Sequence, residues 1–538
     1  MSGVRRACGF WKWAAAAASL VALAVGCSGR KPPPKPAAAR PIRSAAATQG
    51  MREQLLAGMV AILSELDRYD EVRGSEQVFD RLVQWSHASR TSGREFDPLL
   101  ETLPDRLRQA GAETLERTTF DGTGDITAIR DRVWLAAVAR TARGGGVDDL
   151  ETATQLFQWT VRWFAAVSDP PMVPSEAVPG SRWFFPGEIM LAGRGSPAQR
   201  AWIFLELLRQ AGIDGVMLAT RGDGAGGPPR PWLPAAVIGG EAYLFEPSYG
   251  MPIPGPGGEG VATARQAAVD PSILASLSLP DRPYPVQAGD MQGLVVLVAA
   301  DAWSLSPRMS RLEQELGPQQ GVHVAVDATA VAERAVAAMP SEQSVERGLW
   351  SFPWETLARR PLAAAPLAEE LGPLAVPLPA DGPMEQGEML RPLLAGRVRE
   401  FRGDLDGPNG AKAAYLAARP SRRAIAAAVA GLPEQQASAA TRGLTRMKED
   451  ATYWLGLLTL TEGHYEAAID YLQRMTLEAS PDSRWTDAAQ VNLAAALVGL
   501  GRTAEAAACL EQDGSPQRFG SRLAALRLLS PPSEAAGP

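Results

Sequence analysis

The sequence predicts an α+β protein with a helical amino-terminal region, a strand-containing centre around one helix, and a helical carboxyl-terminal region. Apolar residues recur at helical spacing through residues 51–146. Short apolar runs that turn at a Gly-Gly pair, between residues 214 and 247, are typical of strands. Between residues 449 and 514, two helical segments repeat with a period of 38 residues. With 538 residues, of which 46% are hydrophobic, the chain is long enough to bury several cores.

Composition and pattern divide the chain into eight segments. They are 1–27, a signal segment; 28–50, a Pro- and Ala-rich basic tether; 51–147, a helical region; 148–282, the α+β core; 283–330, a small α/β unit; 331–445, an Ala- and Pro-rich region of mixed helical segments; 446–514, helical repeats; and 515–538, a tail. The pattern does not assign the individual elements between residues 331 and 445.

The amino terminus has the pattern of an export signal. Arg5, Arg6 and Lys12 accompany an apolar run, Trp13–Val25, whose 13 residues are too few to span a bilayer of about 30 Å. The segment LAVGC at its end resembles a bacterial lipobox, whose cysteine becomes the lipid-modified first residue of the mature protein. The resemblance implies a lipid anchor on Cys27, a membrane as partner, and an outer-membrane location facing the periplasm. The alternative is an ordinary signal cleaved nearby, which leaves Cys27 as a free thiol.

Residues 28–50 are predicted to connect this signal to the body as an extended tether. Proline favours extended chain, and the other residues supply little that can pack. The segment carries five basic and no acidic residues. These charges suit either contact with anionic lipid headgroups or a plain soluble spacer.

The charge and the few cysteines and histidines exclude several classes of function. The formal net charge is −7, and removal of residues 1–27, which hold three basic and no acidic residues, takes it to −10. An acidic mature chain argues against nucleic acid as a partner, because phosphate binding needs a basic face. Three cysteines and three histidines, far apart, favour neither a disulfide framework nor a common zinc site, and no cofactor is expected.

The stretch GRGSPAQRAWIFLELLRQAGID, residues 193–214, is predicted to be a glycine loop that leads into a helix. Ser196, Pro197 and Gln199 fit an N-cap, a first helical residue and the second member of a capping box. Gly212 fits the carboxyl-terminal stop of the helix. These features explain the stretch without any chemistry, so we expect Ser196 to be a cap.

Two further helix starts and a strand are predicted on either side of this central helix. Asp125 has the position of an N-cap, and Asp148 with Glu151 has the spacing of a capping box. Downstream, GLVVLVAADA, SRLEQEL and GVHVAVDA predict a strand–helix–strand unit from about 290 to 328. His323 lies between two valines of the last strand and is expected on the face opposite to theirs.

The central helix and the strands after it resemble the transglutaminase-like superfamily. The residues that carry the resemblance are AWIFLELLRQAGID, GVMLATR and AYLFEP, preceded by ATQLFQWTVRWF, within residues 148–250. Active members use a Cys–His–Asp triad whose cysteine lies at the amino end of this helix. The resemblance puts the three positions at Pro197, at Pro231 or Trp232, and at Glu246. It therefore implies a core that lacks the catalytic cysteine and histidine.

One alternative retains catalysis, as an active hydrolase or acyltransferase that uses Ser196 or acidic residues of the cleft. A serine nucleophile needs a base nearby. No histidine lies between His87 and His323, and no lysine lies between Lys35 and Lys412, so only carboxylates remain as bases. The carboxylates in question are Glu188, Glu206 and Glu246.

The segments ATYWLGLLTLTEGHYEAAIDYLQRMTLEASP and DAAQVNLAAALVGLGRTAEAAACLEQ resemble tetratricopeptide repeats. Gly463 aligns with Gly501 and Ala468 with Ala506, so small residues recur where paired helices would approach each other. The resemblance implies two repeats that pack on helices upstream and offer a concave surface to a protein partner.

These patterns predict a non-catalytic, lipid-anchored envelope protein that binds a protein, a peptide or a glycan. The cleft of the core is expected to include Ser196 and four aromatic residues, which are Trp183, Trp202, Trp232 and Tyr243. The alternative is that these aromatic side chains are core packing, and this alternative is favoured for Trp202.

Overall fold

The computed structural model describes residues 49–69, 71–87, 96–170, 181–221, 229–340, 345–379 and 389–530. The predictions for the signal segment, for Cys27 and for nearly all of the tether lie outside the described residues. Within the described ranges, no helix has both the length and the apolar composition needed to cross a membrane.

Helices dominate the described chain. The helices of the first part are α1, Gln49–Ser64; α2, Glu71–His87; α3, Asp105–Glu116; α4, Gly124–Ala142; α5, Asp149–Trp163; α6, Pro186–Ala192; α7, Pro197–Gln210; α8, Ala264–Val269; α9, Pro271–Ala275; α10, Pro307–Gln320; and α11, Ala328–Ala337. Those of the second part are α12, Phe352–Ala358; α13, Ala364–Leu371; α14, Pro392–Phe401; α15, Ala411–Ala417; α16, Arg422–Val429; α17, Glu434–Thr461; α18, Tyr465–Ile469; α19, Thr486–Gly499; α20, Thr503–Glu511; and α21, Arg518–Leu529. A π-helix, Asp470–Glu478, continues α18.

Six strands form one mixed sheet in the order β6-β5-β4-β3-β7-β8. These strands are β3, Asp214–Thr220; β4, Arg230–Ile238; β5, Glu241–Glu246; β6, Met251–Pro252; β7, Val295–Val298; and β8, Glu346–Leu349. Neighbouring strands are antiparallel except β7 and β8, which are parallel. Two short pairs lie outside this sheet: β1, Ala165–Ala166, with β2, Arg194–Gly195, and β9, Leu378–Pro379, with β10, Met389–Leu390. The predicted α+β class is confirmed.

The sheet separates two buried cores, because successive side chains of a strand point to opposite faces. Met217 and Phe245 lie on the face toward α7 and pack with apolar residues of α4, α5 and α7. Leu218 and Leu244, one position away on the same strands, belong to the second core on the other face, together with residues of α11. The central helix α7 is thus held on one face of the sheet only.

Of the two helix starts predicted near the core, one cap is confirmed and the other is wrong. Asp148 Oδ1 accepts a hydrogen bond from the backbone N–H of Glu151 at 2.8 Å, so Asp148 is the N-cap of α5. The reciprocal bond of a capping box does not form, because Glu151 Oε2 accepts from the N–H of Val147 at 2.9 Å instead. Asp125 is not a cap, since α4 begins after Thr123. Asp125 is buried and its two oxygens accept from Arg308 Nε and NH2 at 2.8 and 2.6 Å. Asp125 is therefore the ion-pair partner of Arg308, which lies 183 residues away in the sequence.

Residues 321–327, predicted as a strand, form no strand in the structure. The side chain of Gln210 takes both backbone groups of His323: Oε1 accepts from the N–H at 2.9 Å, and Nε2 donates to the carbonyl at 2.7 Å. Glu313 Oε2 accepts from the N–H of Val324 at 2.6 Å. Side chains thus satisfy backbone groups that a neighbouring strand would have satisfied. The strand beside β7 is instead β8, from the region that the pattern left unassigned.

The carboxyl-terminal helices form two helix–turn–helix pairs, α17 with α18 and α19 with α20. Gly463 and Gly501, at the two turns, have φ of 76° and 73°, in the left-handed region that favours glycine. Ala468 and Ala506 are both fully buried. Small residues therefore occur at equivalent positions of the two pairs, as the 38-residue repeat predicts.

Candidate functional site at the amino end of the central helix

The amino end of α7 is closed by its own capping residues. Ser196 Oγ accepts from the backbone N–H of Gln199 at 3.3 Å, and Gln199 Oε1 accepts from the N–H of Ser196 at 3.1 Å. Pro197 occupies the first helical position, and Ser196 is fully buried. The predicted capping box is confirmed, and the Ser196 oxygen is committed to the backbone.

A carboxylate of the chain itself lies at the same helix end. Asp169 Oδ1 accepts from the backbone N–H of Ala198 at 3.1 Å. The free N–H groups and the dipole at a helix start favour a negative group, which is why a thiolate nucleophile is stabilised at such a place. Here Asp169 and Ser196 take these donors, and Pro197 supplies neither an N–H nor a nucleophile.

Glu246, the last residue of β5, lies on the sheet face opposite α7. Its neighbour Phe245 packs toward α7, with its ring centroid 4.9 Å from that of Phe204. Glu246 Oε1 accepts from the N–H and the hydroxyl of Ser248 at 2.9 and 2.6 Å, and Oε2 accepts from the hydroxyl of Tyr284. Burial raises the pKa of Glu246. The carboxyl group is therefore directed into the second core and away from the end of α7.

Pro231 and Trp232 lie on β4, at the same end of the sheet as Glu246. The pairing of β3 with β4 shifts register there, so that Trp232 is the extra residue of a β-bulge. Trp232 Nε1 donates to the Tyr284 hydroxyl at 2.8 Å, and that hydroxyl donates to Glu246. The second and third predicted triad positions are thus linked through Tyr284, but the link contains no nucleophile.

The four aromatic residues predicted for the cleft do not meet in one cleft of the described structure. Trp183 and Trp202 are fully buried, and both rings pack on Phe352, with centroids 5.8 and 6.1 Å away. Trp232 is half-buried against the second core, and Tyr243 is half-buried against the first. Trp183 and Trp202 are therefore both part of the core, as the alternative interpretation of these aromatic residues predicts.

The other carboxylates considered as bases are held by arginines. Glu188 Oε2 accepts from Arg360 NH1 at 2.7 Å. Both oxygens of Glu206 accept from Arg209 NH1 at 2.8 Å. Burial raises the pKa of Glu188 in spite of this ion pair. Each carboxylate is nevertheless engaged by a guanidinium, while the Ser196 hydroxyl oxygen is bonded to the backbone N–H of Gln199.

The histidines of the described chain do not supply a base at this end of α7 either. His323 Nδ1 lies 2.7 Å from Glu313 Oε1, beyond the carboxyl end of α7. His464 is exposed at the start of α18, with Nδ1 3.4 Å from Glu462. The side chain of His87 lies outside what the structure describes.

An ionic cluster holds the carboxyl-terminal helices against the loop that leads into α7. Glu370 accepts from Arg182, from Arg194 at 2.6 Å and from Arg484 at 2.8 Å, and Arg484 also binds Asp450 at 2.6 Å. We call these five residues the ionic junction. The Glu370 side chain is only 7% exposed. Sequence reasoning missed the junction because its members come from separate segments and share no local spacing.

Two tryptophans beside the ionic junction pack on the same loop. A Cβ on Gly193 would lie 3.1 Å from Trp454 Nε1 and 3.3 Å from the Trp485 ring, and Gly193 has a φ of 62°. Only glycine suits both this backbone conformation and this space. Trp485 Nε1 donates to Asp450 at 2.7 Å. The core-facing sides of α17 and α19 are therefore covered by the chain itself.

Comparisons of the chain with protein-family profiles, with curated proteins and with solved structures gave no match. Among the described residues, no group of three or more His, Cys, Asp or Glu is arranged to hold a metal ion. The features that bear on function are therefore the geometry around α7 and the contacts of this region with the carboxyl-terminal helices.

Proposed function

We propose that the chain is a non-catalytic binding protein of the cell envelope, built on a degenerate transglutaminase-like core. The observation that carries the proposal is the closed amino end of α7. Pro197 stands at the position of the nucleophile, and Ser196 and Asp169 accept from N–H groups that would stabilise a thiolate. Glu246, at the third position, faces the other side of the sheet.

In this proposal the core supports the carboxyl-terminal helical pairs, which resemble tetratricopeptide repeats and bind a protein or a peptide. Their core-facing sides are already occupied, because Trp454 and Trp485 pack on Gly193. The partner therefore engages the outward faces of these helices or the line along which they meet the core. A glycan is the other ligand class that the sequence leaves open.

The membrane link of this protein is proposed to be the lipid on Cys27, facing the periplasm from the outer membrane. Replacement of Cys27 by serine should move the protein from the membrane fraction to the soluble fraction after cell breakage. Wild-type protein in the same preparation is the control. Unchanged partitioning would contradict the anchor and leave the binding proposal standing.

The absence of catalysis is tested with the purified full chain on peptide and ester substrates and in transamidation of glutamine peptides. We expect no turnover above that of protein-free solution. The variants Ser196→Ala and Glu246→Gln are matched controls, because each removes a group that the alternative requires. Turnover that either variant abolishes would overturn the proposal in favour of an active hydrolase or acyltransferase.

A further inference from the structure

A solvent-open cavity of ≈ 270 Å³ lies between the amino ends of α10 and α11. Its walls come from the segment that begins at Phe96, from the first turn of α10 with the residue before it, and from the start of α11. A cavity of about 150 Å³ is enough to hold a benzene ring, so this one has room for a small organic group. No residue of the carboxyl-terminal helices is among the described residues that line it.

One buried hydroxyl of the lining has no partner in the part of the chain that the structure describes. Ser310, in the first turn of α10, is 7% exposed, and its Oγ makes no hydrogen bond to a described residue. Its backbone N–H donates to the carbonyl of Ser306 at 3.0 Å, so this amide is already satisfied. Buried polar groups in proteins are nearly always hydrogen-bonded. A polar group that enters the cavity can therefore bond to this hydroxyl.

Asp97 brings a carboxylate to the same cavity, and its partners are uncharged. Oδ1 accepts from the N–H of Leu99 at 3.0 Å and from the hydroxyl of Thr329 at 2.9 Å, and Oδ2 accepts from the N–H of Thr329 at 3.1 Å. A carboxylate can accept about four hydrogen bonds, so one acceptor position is left on Oδ2. A second carboxylate of the lining, Asp327, is the N-cap of α11.

The charges around the cavity leave a negative excess. The described lining holds no basic side chain. Arg308 of α10 is bound to Asp125, and Arg311 lies over a tryptophan ring, 5.3 Å from its centroid. Arg334 of α11 binds Asp214 at 3.0 Å. The starts of α10 and α11 each contribute roughly half a positive charge, so the two carboxylates leave an excess of about one negative charge.

The remaining walls of the cavity are apolar. Leu305, Pro307 and Val326 line it, and the ring of Phe96, which is 49% exposed, lies at its opening. Such walls favour a methylene chain, and an aromatic face also attracts a cation. An ammonium group has one positive charge and three N–H donors. An ammonium group on a short methylene chain therefore matches the charge, the acceptors and the apolar walls together.

We propose that this cavity binds the ammonium group of an alkyl amine, with Asp97 and Ser310 as acceptors and the apolar walls around the methylene chain. The inference goes beyond the proposed function, because the cavity lies outside the carboxyl-terminal helices. The amine is either the lysine side chain of a peptide or a small free amine, since both have the same charged head and the same apolar stem.

The test is a ligand-observed NMR titration of the purified full chain with three small probes. N-acetyllysine methylamide presents the ammonium group as a peptide does, pentylammonium presents it as a free amine, and N-acetylnorleucine methylamide is the lysine probe without its ammonium group. We expect saturable binding of at least one amine and at least about tenfold lower affinity for the norleucine probe, as loss of one charge-assisted hydrogen bond gives. The amine that binds more tightly identifies the source.

Variants of the two acceptors connect the binding to the cavity. Ser310→Ala should lower the affinity about threefold or more and leave the fold unchanged, because the hydroxyl has no partner among the described residues. Asp97→Asn should lower the affinity about tenfold, since the amide keeps an oxygen for the cap but removes the charge. Asp270→Asn is the matched control and should leave the affinity unchanged. Asp270 also caps a helix, by accepting from the N–H of Ser272 at 2.9 Å, but it does not line the cavity.

Four results would overturn the inference. They are equal affinity for the lysine and norleucine probes, no saturation by either amine at tens of millimolar, wild-type affinity in the Ser310→Ala variant, and equal losses in the Asp97→Asn and Asp270→Asn variants. The last result would assign the binding to the net charge of the whole protein. None of these results bears on turnover, so failure of this site is distinguishable from failure of the non-catalytic proposal.

Discussion

The ionic junction gives the sharpest prediction on stability, through replacement of Glu370 by glutamine. The carboxylate is 7% exposed and is the common acceptor of three arginines, whose side chains are 10 to 20% exposed. Glutamine keeps the shape but removes the charge and turns an amide nitrogen toward guanidinium groups. Loss of one partner of a buried ion pair costs about 3–5 kcal/mol. Because Arg484 keeps Asp450, we expect about 3 kcal/mol less free energy of unfolding at pH 7.

The loss of stability in the Glu370→Gln variant should also depend on pH. Burial alone would raise the pKa of Glu370, but the field of Arg182, Arg194 and Arg484 outweighs it and lowers the pKa below its ordinary value of 4.5. The carboxylate therefore stabilises the folded state above pH 4.5, and this contribution is lost as the pH falls through the lowered pKa. The difference between wild type and variant should shrink in that acidic range.

Urea unfolding followed by tryptophan fluorescence measures both effects, because the indole of Trp485 donates a hydrogen bond to Asp450 of the junction. Glu369→Gln is the matched control: it makes the same chemical change one residue away, at a side chain 69% exposed and 3.5 Å from Arg446. An exposed pair of this kind contributes about 0–1 kcal/mol. Equal free energies of unfolding for the two variants would refute the reasoning that the junction holds the helices to the core.

Three further variants test other features by urea unfolding. Ser196→Ala should lower the free energy of unfolding by about 1 kcal/mol through loss of the cap, and an unchanged value would contradict the capping role. Glu246→Gln should remove a decline in stability that begins above pH 4.5, because burial raises the pKa of Glu246 and its ionisation costs the folded state free energy; a decline that persists in the variant would assign it to another group. Gly193→Ala should lower the free energy of unfolding by about 2 kcal/mol or more, because alanine is strained in left-handed backbone and its Cβ would press on the indole of Trp454. Gly212→Ala is the control: Gly212 has a φ of 77° but open space around it, so only the backbone strain of about 1 kcal/mol should be lost. Equal losses for the two glycines would show that the indole contact carries no energy.

Predictions that depend on neighbouring residues succeeded. The caps at Ser196 and Asp148 and the turns at Gly463 and Gly501 follow from hydrogen bonds or backbone angles within a few residues. The α+β class followed from periodicity in the same way. In each case the side chain that decides the structure lies in the same stretch of sequence as the structure itself.

Predictions that depend on distant partners failed or were not made. The local pattern at Asp125 is that of a cap, but its partner Arg308 lies 183 residues away in the sequence. The segment at His323 forms no strand, because the side chain of Gln210 takes the backbone groups of His323. The side chain of Glu246 points away from α7 because successive side chains of β5 alternate between the two faces of the sheet. Its hydrogen-bond donor on that face, Tyr284, belongs to no motif that the sequence showed. The resemblances to the transglutaminase-like superfamily and to tetratricopeptide repeats remain the basis of the proposed function.

The contact of the last helices with α7 has a consequence for the order in which the chain acquires its structure during synthesis. Arg200 reaches Gln517 across 317 residues, and Arg402 reaches the carbonyl of Ser64 across 338. Chains dominated by such distant pairings fold slowly, because the entropy of closing long loops comes before the contacts that offset it. We expect a growing chain that stops before residue 517 to leave the guanidinium of Arg200 without one of its acceptors. The folded state is thus a property of the finished chain, and partial products are expected to remain open to chaperones and proteases.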